Sequence, residues 1–127
     1  MNEPTSITHI STAPFDHLEL FYRGEEVKIA LTDLPFVLGR DSDQCQLVID
    51  HLKASRQHCT LTLQDNQVGL LDKSTNGTSL QIGRASSIMI KNGFYPLTGQ
   101  GYIQLGKTIS ANDPDLICYK MVFKHPG

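Results

Sequence analysis

Residues 38–78 read LGRDSDQCQLVIDHLKASRQHCTLTLQDNQVGLLDKSTNGT. Three short polar clusters are set into apolar, strand-like runs. The first is Leu38-Gly39-Arg40-Asp41. The second is Lys53-Ala54-Ser55-Arg56-Gln57-His58, and the third is Asp72-Lys73-Ser74-Thr75-Asn76-Gly77-Thr78. Each reads as a loop between strands. Together they supply cations, hydroxyls and an amide, the inventory needed to hold a phosphate and the backbone beside it.

The runs around these clusters carry the period-two pattern of half-buried strands. Cys59, Leu61 and Leu63 fall on one face, Thr60 and Thr62 on the other; Asp65-Asn66 makes a turn and residues 68–71 return. Upstream, 18–22 and 27–31 alternate on either side of Arg23-Gly24, a hairpin signal. Residues 36–38, 47–49, 79–82, 88–90, 102–105 and 116–123 read as further strands, with Asn92-Gly93 as another hairpin turn. No segment keeps a helical period over more than about two turns. Roughly ten short strands, with turn signals about every 8–12 residues, predict an all-β sandwich. That fold brings the three clusters to one end.

A chain of 127 residues supports one domain with one core. Residues 1–16 are polar and read as a leader or linker, 17–124 as the domain and 125–127 as a tail. The formal charge is −2 and no long basic run appears, so a nucleic-acid partner is not expected. No apolar run approaches the roughly 20 residues of a membrane span, and residues 1–17 lack the pattern of a secretory signal. The three cysteines, Cys45, Cys59 and Cys118, are odd in number and widely spaced, which fits a reducing compartment. A monomer in the cytoplasm is the expectation.

Within the clusters, residue types suggest roles. Gly39 ends a strand and permits a sharp departure or a close approach. Arg40, just beyond it, can present its planar fork to a phosphate. The Ser55 hydroxyl can donate to the same group, and Arg56 and Lys53 add charge. His58 opens an apolar alternation, so its ring is expected inside, fixing a loop through a backbone carbonyl. Asn76-Gly77 suits a tight turn, with Thr75 beside it, and the Asn amide can pair with a peptide backbone in both directions.

Other patterns fail on context. GYIQLGKT at 101–108 matches a phosphate-loop spacing, but its middle is strand material and no helix follows. Ser55, His58 and Asp72 lack the strand–turn–helix elbow of a hydrolase nucleophile. Cys45, His51, His58 and Cys59 lack the paired spacing of a metal site. No cofactor, no metal and no catalytic residue are expected.

In order and spacing, Gly39-Arg40, Ser55-Arg56-Gln57-His58 and Ser74-Thr75-Asn76-Gly77-Thr78 resemble the signature of the forkhead-associated (FHA) domain. Leu97, Gly99, Gly101, Ile103, Leu105 and Gly106 suit the family's usual last stretch, and the resemblance spans about residues 17–124. Residues 96–106 are also similar to FHA modules appended to bacterial class III adenylate and guanylate cyclases. Many members repeat Asn-Gly after the third cluster; here Ile82-Gly83 stands there, without an Asn to brace the neighbouring loop.

The resemblance implies a sandwich of the SMAD/FHA type, of about 10–11 strands, with its ligand site in loops at one end. It implies a module, not an enzyme, that binds a phosphothreonine-containing protein or peptide in signalling. Arg40, Lys53, Ser55, Arg56, Thr75 and Asn76 are then the phosphopeptide-binding residues, and Gly39, His58 and Gly77 shape the loops. The rival expectation is a sandwich of the same fold that binds without phosphate or self-associates.

Overall fold

Alternation becomes burial in strand after strand of the computed structural model, which describes residues 14–124. Strands β1 (Phe15–Tyr22) and β2 (Glu25–Ala30) form a hairpin, and β3 (Phe36–Gly39) and β4 (Leu47–Val48) follow. Next come β5 (Cys59–Gln64), β6 (Gln67–Asp72), β7 (Thr78–Ile82) and β8 (Ile88–Ile90). Strands β9 (Phe94–Pro96), β10 (Gln100–Leu105) and β11 (Ile117–Phe123) complete the sandwich. One sheet has the order β2-β1-β11-β10-β7-β8 and the other β4-β3-β5-β6-β9. Among the described residues, only β3 and β4 pair in parallel.

The core lies between the two sheets. Leu18, Leu20, Ile29, Ile103 and Ile117 from one sheet are fully buried with Leu38, Leu61 and Leu70 from the other. Fully burying one such aliphatic side chain is worth about 1.5–3 kcal/mol, so a one-residue register slip in any central strand would exchange core for surface. Leu63, expected on the core face, is half exposed near the far end of β5.

Two hairpin turns follow their sequence signals. Arg23-Gly24 and Asp65-Asn66 all have positive φ, the twist that two-residue hairpins require. Asn92-Gly93 differs from the hairpin expected. Strand β8 pairs with β7 in one sheet, whereas β9 pairs with β6 in the other, so the turn carries the chain across the sandwich. Its backbone is pinned to Asp72: the Asn92 N–H donates to the carboxylate at 2.9 Å, and Gly93 C=O accepts from the Asp72 N–H at 2.8 Å. Strand β9 itself was not anticipated; three residues ending in proline make only an edge strand.

Phe15 and Asp16, expected in the leader over 1–16, belong to β1: Phe15 pairs with Phe123 of β11, and the register shifts between Phe15 and His17. Residues 1–13 and the tail 125–127 lie outside the described residues. Among those described, no helix is long and apolar enough to cross a membrane.

Candidate functional site

The three clusters meet because β3 ends beside the loop before β5. The Arg40 and Asp41 N–H groups donate to Ser55 and Arg56 carbonyls at 3.0 and 3.1 Å, and the His58 N–H donates to Leu38 C=O at 2.8 Å. This close approach explains Gly39. A Cβ there would lie 2.2 Å from the Arg56 carbonyl oxygen, far inside contact distance.

Beneath the loops lies a buried polar layer. The His58 ring is fully buried; its Nδ1 accepts from the Ser55 N–H at 2.9 Å and its Nε2–H donates to Gly77 C=O at 2.8 Å. Those two partners require the neutral Nε2–H tautomer. Burial pushes the imidazole pKa below its ordinary 6.5 and outweighs the Gly77 carbonyl and the nearby Asp72 charge. Asp72, also fully buried, accepts from the Ser74 hydroxyl and N–H, the Thr78 hydroxyl and the Asn92 N–H. Burial alone would raise its pKa. The donors from Ser74, Asn92 and Thr78 overcome that and hold the carboxyl below its usual range.

Asp72 is the functional residue that sequence reasoning missed. The available signal was local: an Asp two residues before a Ser favours side-chain to backbone bonds that set a turn. Gly106, named in the last segment of the resemblance, carries a contact that its sequence did not indicate. Its N–H donates to Gly77 C=O at 2.8 Å, and a Cβ would meet the Lys53 carbonyl oxygen at 2.3 Å. The last segment of the resemblance thus supports the second and third clusters from below.

Above this layer is an exposed one. Arg40, Lys53, Ser55, Arg56, Thr75 and Asn76 all line one open cavity of about 380 Å³, and Leu52 and Ala54 complete it. Ser55 is half-buried and the other five of the six are exposed. The Ser55 Oγ accepts from the Thr75 N–H at 3.1 Å, which leaves its own hydrogen free to donate outward. Asn76 donates one amide hydrogen to Lys53 C=O at 3.1 Å. Its carbonyl oxygen and second hydrogen remain for a ligand. Among the described residues, none of the three cations pairs with a carboxylate, and no carboxylate lines the cavity.

The brace expected from an Asn at position 82 falls elsewhere in space. Ile82 pairs with Gly101 at the other end of β7, away from Thr78 and the cavity. The loop brace at this rim is Asn76 on Lys53. Residues 101–108, with their phosphate-loop spacing, run through β10 into a turn where Lys107 is bound to Asp113 at 2.7 Å. His58 cannot serve Ser55 as a base, since both ring nitrogens are taken by backbone groups. No cluster of three potential metal-ligating side chains occurs among the described residues.

The FHA domain family model matches residues 36–95, which contain all three clusters. Over that segment the chain matches an FHA domain. Solved structures agree on the fold. The first FHA domain of Mycobacterium tuberculosis Rv1747 aligns with a TM-score of 0.60 at 21% identity, covering 84% of this chain and 97% of that one. The MEK1 FHA domain, solved with a HOP1 phosphothreonine peptide, gives 0.64 at 18%, with the same coverages of 84% and 97%. The N-terminal FHA domain of Saccharomyces cerevisiae Rad53p, in complex with a phosphothreonine peptide, gives 0.60 at 18%, covering 85% and 94%. No curated protein sequence matches this chain.

Proposed function

We propose that this FHA domain is a phosphothreonine-peptide binding module for phosphorylation-dependent protein–protein interaction. The observation that carries the reading is the convergence of three cations and two hydroxyl side chains on one cavity, with no carboxylate paired to them or lining it among the described residues. A phosphate near pH 7 carries about −1.5 to −2 charges and three acceptor oxygens, which suits that lining. Phosphothreonine peptides in the MEK1 and Rad53p complexes support the same ligand class.

In this reading Arg40 is the main charge-assisted donor and Ser55 donates its free hydrogen to the same phosphate. Arg56 and Lys53 add charge. Thr75 contacts the phosphate, and its loop helps bury the threonine methyl, worth roughly 1 kcal/mol against phosphoserine. Asn76 holds the ligand backbone through its remaining amide groups. The module needs no cofactor and performs no chemistry. It works as a cytoplasmic monomer, without nucleic acid or membrane, and regulates a linked or partner enzyme such as a nucleotide cyclase. The cyclase link rests on the similarity of residues 96–106 to cyclase-appended modules.

Titration with a phosphothreonine peptide and its dephosphorylated twin tests the reading. Binding that vanishes on dephosphorylation is expected. Equal affinity for the two forms would transfer the function to phosphate-independent association.

A further inference from the structure

The outer face of the six-stranded sheet holds a groove of about 330 Å³ that shares no lining residue with the cavity. Leu20 and Tyr22 of β1, Ile117 and Tyr119 of β11 and Ile103 of β10 are buried, which turns Phe21, Cys118 and Tyr102 outward. The register sets those three in one row: Cys118 lies directly opposite Phe21 on one side and Tyr102 on the other. Neighbouring strands are about 4.8 Å apart, so a short thiol side chain forms the floor between two aromatic walls. Phe21 and Tyr102 are 39% and 38% exposed, although β1 and β10 are interior strands. On the other sheet the outward space is filled from within. A Cβ on Gly69 would meet the Phe94 ring at 2.5 Å, so that ring lies over the strand.

The groove is also cationic. Arg84 and Lys120 line it, both exposed. Lys120 is two residues along β11 from Cys118 and so faces the same way, about 7 Å off. The turn that carries Arg84 is held to β10, where the Gly83 N–H donates to Gln100 C=O at 2.7 Å. Among the described residues neither cation pairs with a carboxylate, and no carboxylate lines the groove. Glu19 lies directly opposite Lys120 in register. Its carboxylate, however, bonds the His17 ring at 2.9 Å, and Asp16 holds the other ring nitrogen. The acids of β1 are thus engaged along their own strand. Glu26 stands beyond Phe21 on the edge strand, outside the lining.

From this we infer that the groove is a second docking surface, for an acidic segment of a partner protein. The segment inserts one apolar side chain over Cys118, between Phe21 and Tyr102, and sets flanking carboxylates against Arg84 and Lys120. Charge selects this occupant. A purely apolar partner would cover two cations without pairing them, an unfavourable desolvation. A basic segment is repelled. An apolar residue between acids meets both the aromatic walls and the cations at their border. Because the two sites share no residue, the inference stands apart from the phosphothreonine reading of the cavity.

The test titrates the isotope-labelled full chain, followed by NMR, with unphosphorylated peptides that carry Phe, Leu or Trp between flanking Asp-Glu pairs. Control copies replace the central residue by Ala, or the acids by Lys. The amide signals of Phe21, Cys118, Tyr102 and Lys120 are expected to move with the acidic peptides, while those of Ser55 and Thr75 stay. A central Phe should bind about tenfold tighter than Ala, and the Lys-flanked copy should produce no shift. Phe21→Ala should weaken the acidic peptide about fivefold. Arg84→Glu combined with Lys120→Glu should abolish its binding and admit the Lys-flanked copy instead. Both reversed positions are exposed, so that variant should melt as the parent does. Shifts confined to the surroundings of Ser55 and Thr75 would place the peptide in the cavity. Groove signals that move with protein concentration alone would make a second copy the occupant. Either result overturns the inference, as does equal affinity for the Lys-flanked copy or the absence of shifts with all three central residues. None of these outcomes alters the response of the cavity to phosphorylation.

Discussion

The same rim contains two polar layers with opposite habits. His58 and Asp72 are fully buried, and every polar atom of either side chain has a protein partner. Arg40, Lys53 and Arg56 are exposed and pair with no carboxylate among the described residues. The difference separates two tasks. Satisfied buried groups fix three loops in one arrangement, since a single missing partner there is expensive. Unsatisfied exposed groups are what a ligand can engage. Stability and binding should therefore respond to different substitutions.

The sharpest way to break this contrast is Asp72→Ala. It orphans four donors around a buried site, and a loss of about 3–4 kcal/mol in urea unfolding is expected. A change below about 1 kcal/mol would mean that the buried layer does not hold the loops. Arg40→Ala is the counterpart in the exposed layer. Peptide affinity should fall about ten- to a hundredfold, as for a lost hydrogen bond to a charged group, with the urea midpoint unchanged. If both quantities moved together, the two layers would not be separable.

A pH series sharpens the same point. The folded-state pKa of His58 lies below its unfolded 6.5. Between the two values the unfolded chain binds a proton that the folded chain refuses, so this contribution is present above pH 6.5 and is lost as pH falls through that window. Stability should drop as pH falls below 6.5, and the slope should flatten in His58→Gln. An unchanged slope would remove His58 from the account. The smallest effects belong to Lys53→Ala and Arg56→Ala. Each should weaken peptide binding only about two- to fivefold, more at low salt than at 0.5 M, because exposed charges are screened. A salt-independent loss would point to a direct, desolvated contact instead.

How much of this was legible beforehand depends on the range of the signal. The hairpins at Arg23-Gly24 and Asp65-Asn66 were readable because a two-residue left-handed turn is a local requirement. The six residues around the cavity were nameable from cluster chemistry and from the family resemblance. Asn92-Gly93 carries the same local signal as a hairpin, yet it crosses between sheets, because Asp72, twenty residues earlier, holds its backbone. The role of Asp72 was equally hidden: a carboxylate in a polar loop looks solvent-facing until its four donors are seen around it.

By itself, then, the amino-acid order determined an all-β chain, the residues of its three polar loops and the glycine needed after Leu38. Those follow from side-chain period, turn chemistry and functional-group inventory, all of which act over a few residues. Tertiary structure alone decided which of those groups face inward with full sets of partners and which are left exposed. It also decided that Leu52 stands at the rim while Arg84 faces another groove. Burial and partner choice depend on segments far apart in the chain, brought together only when the two sheets close.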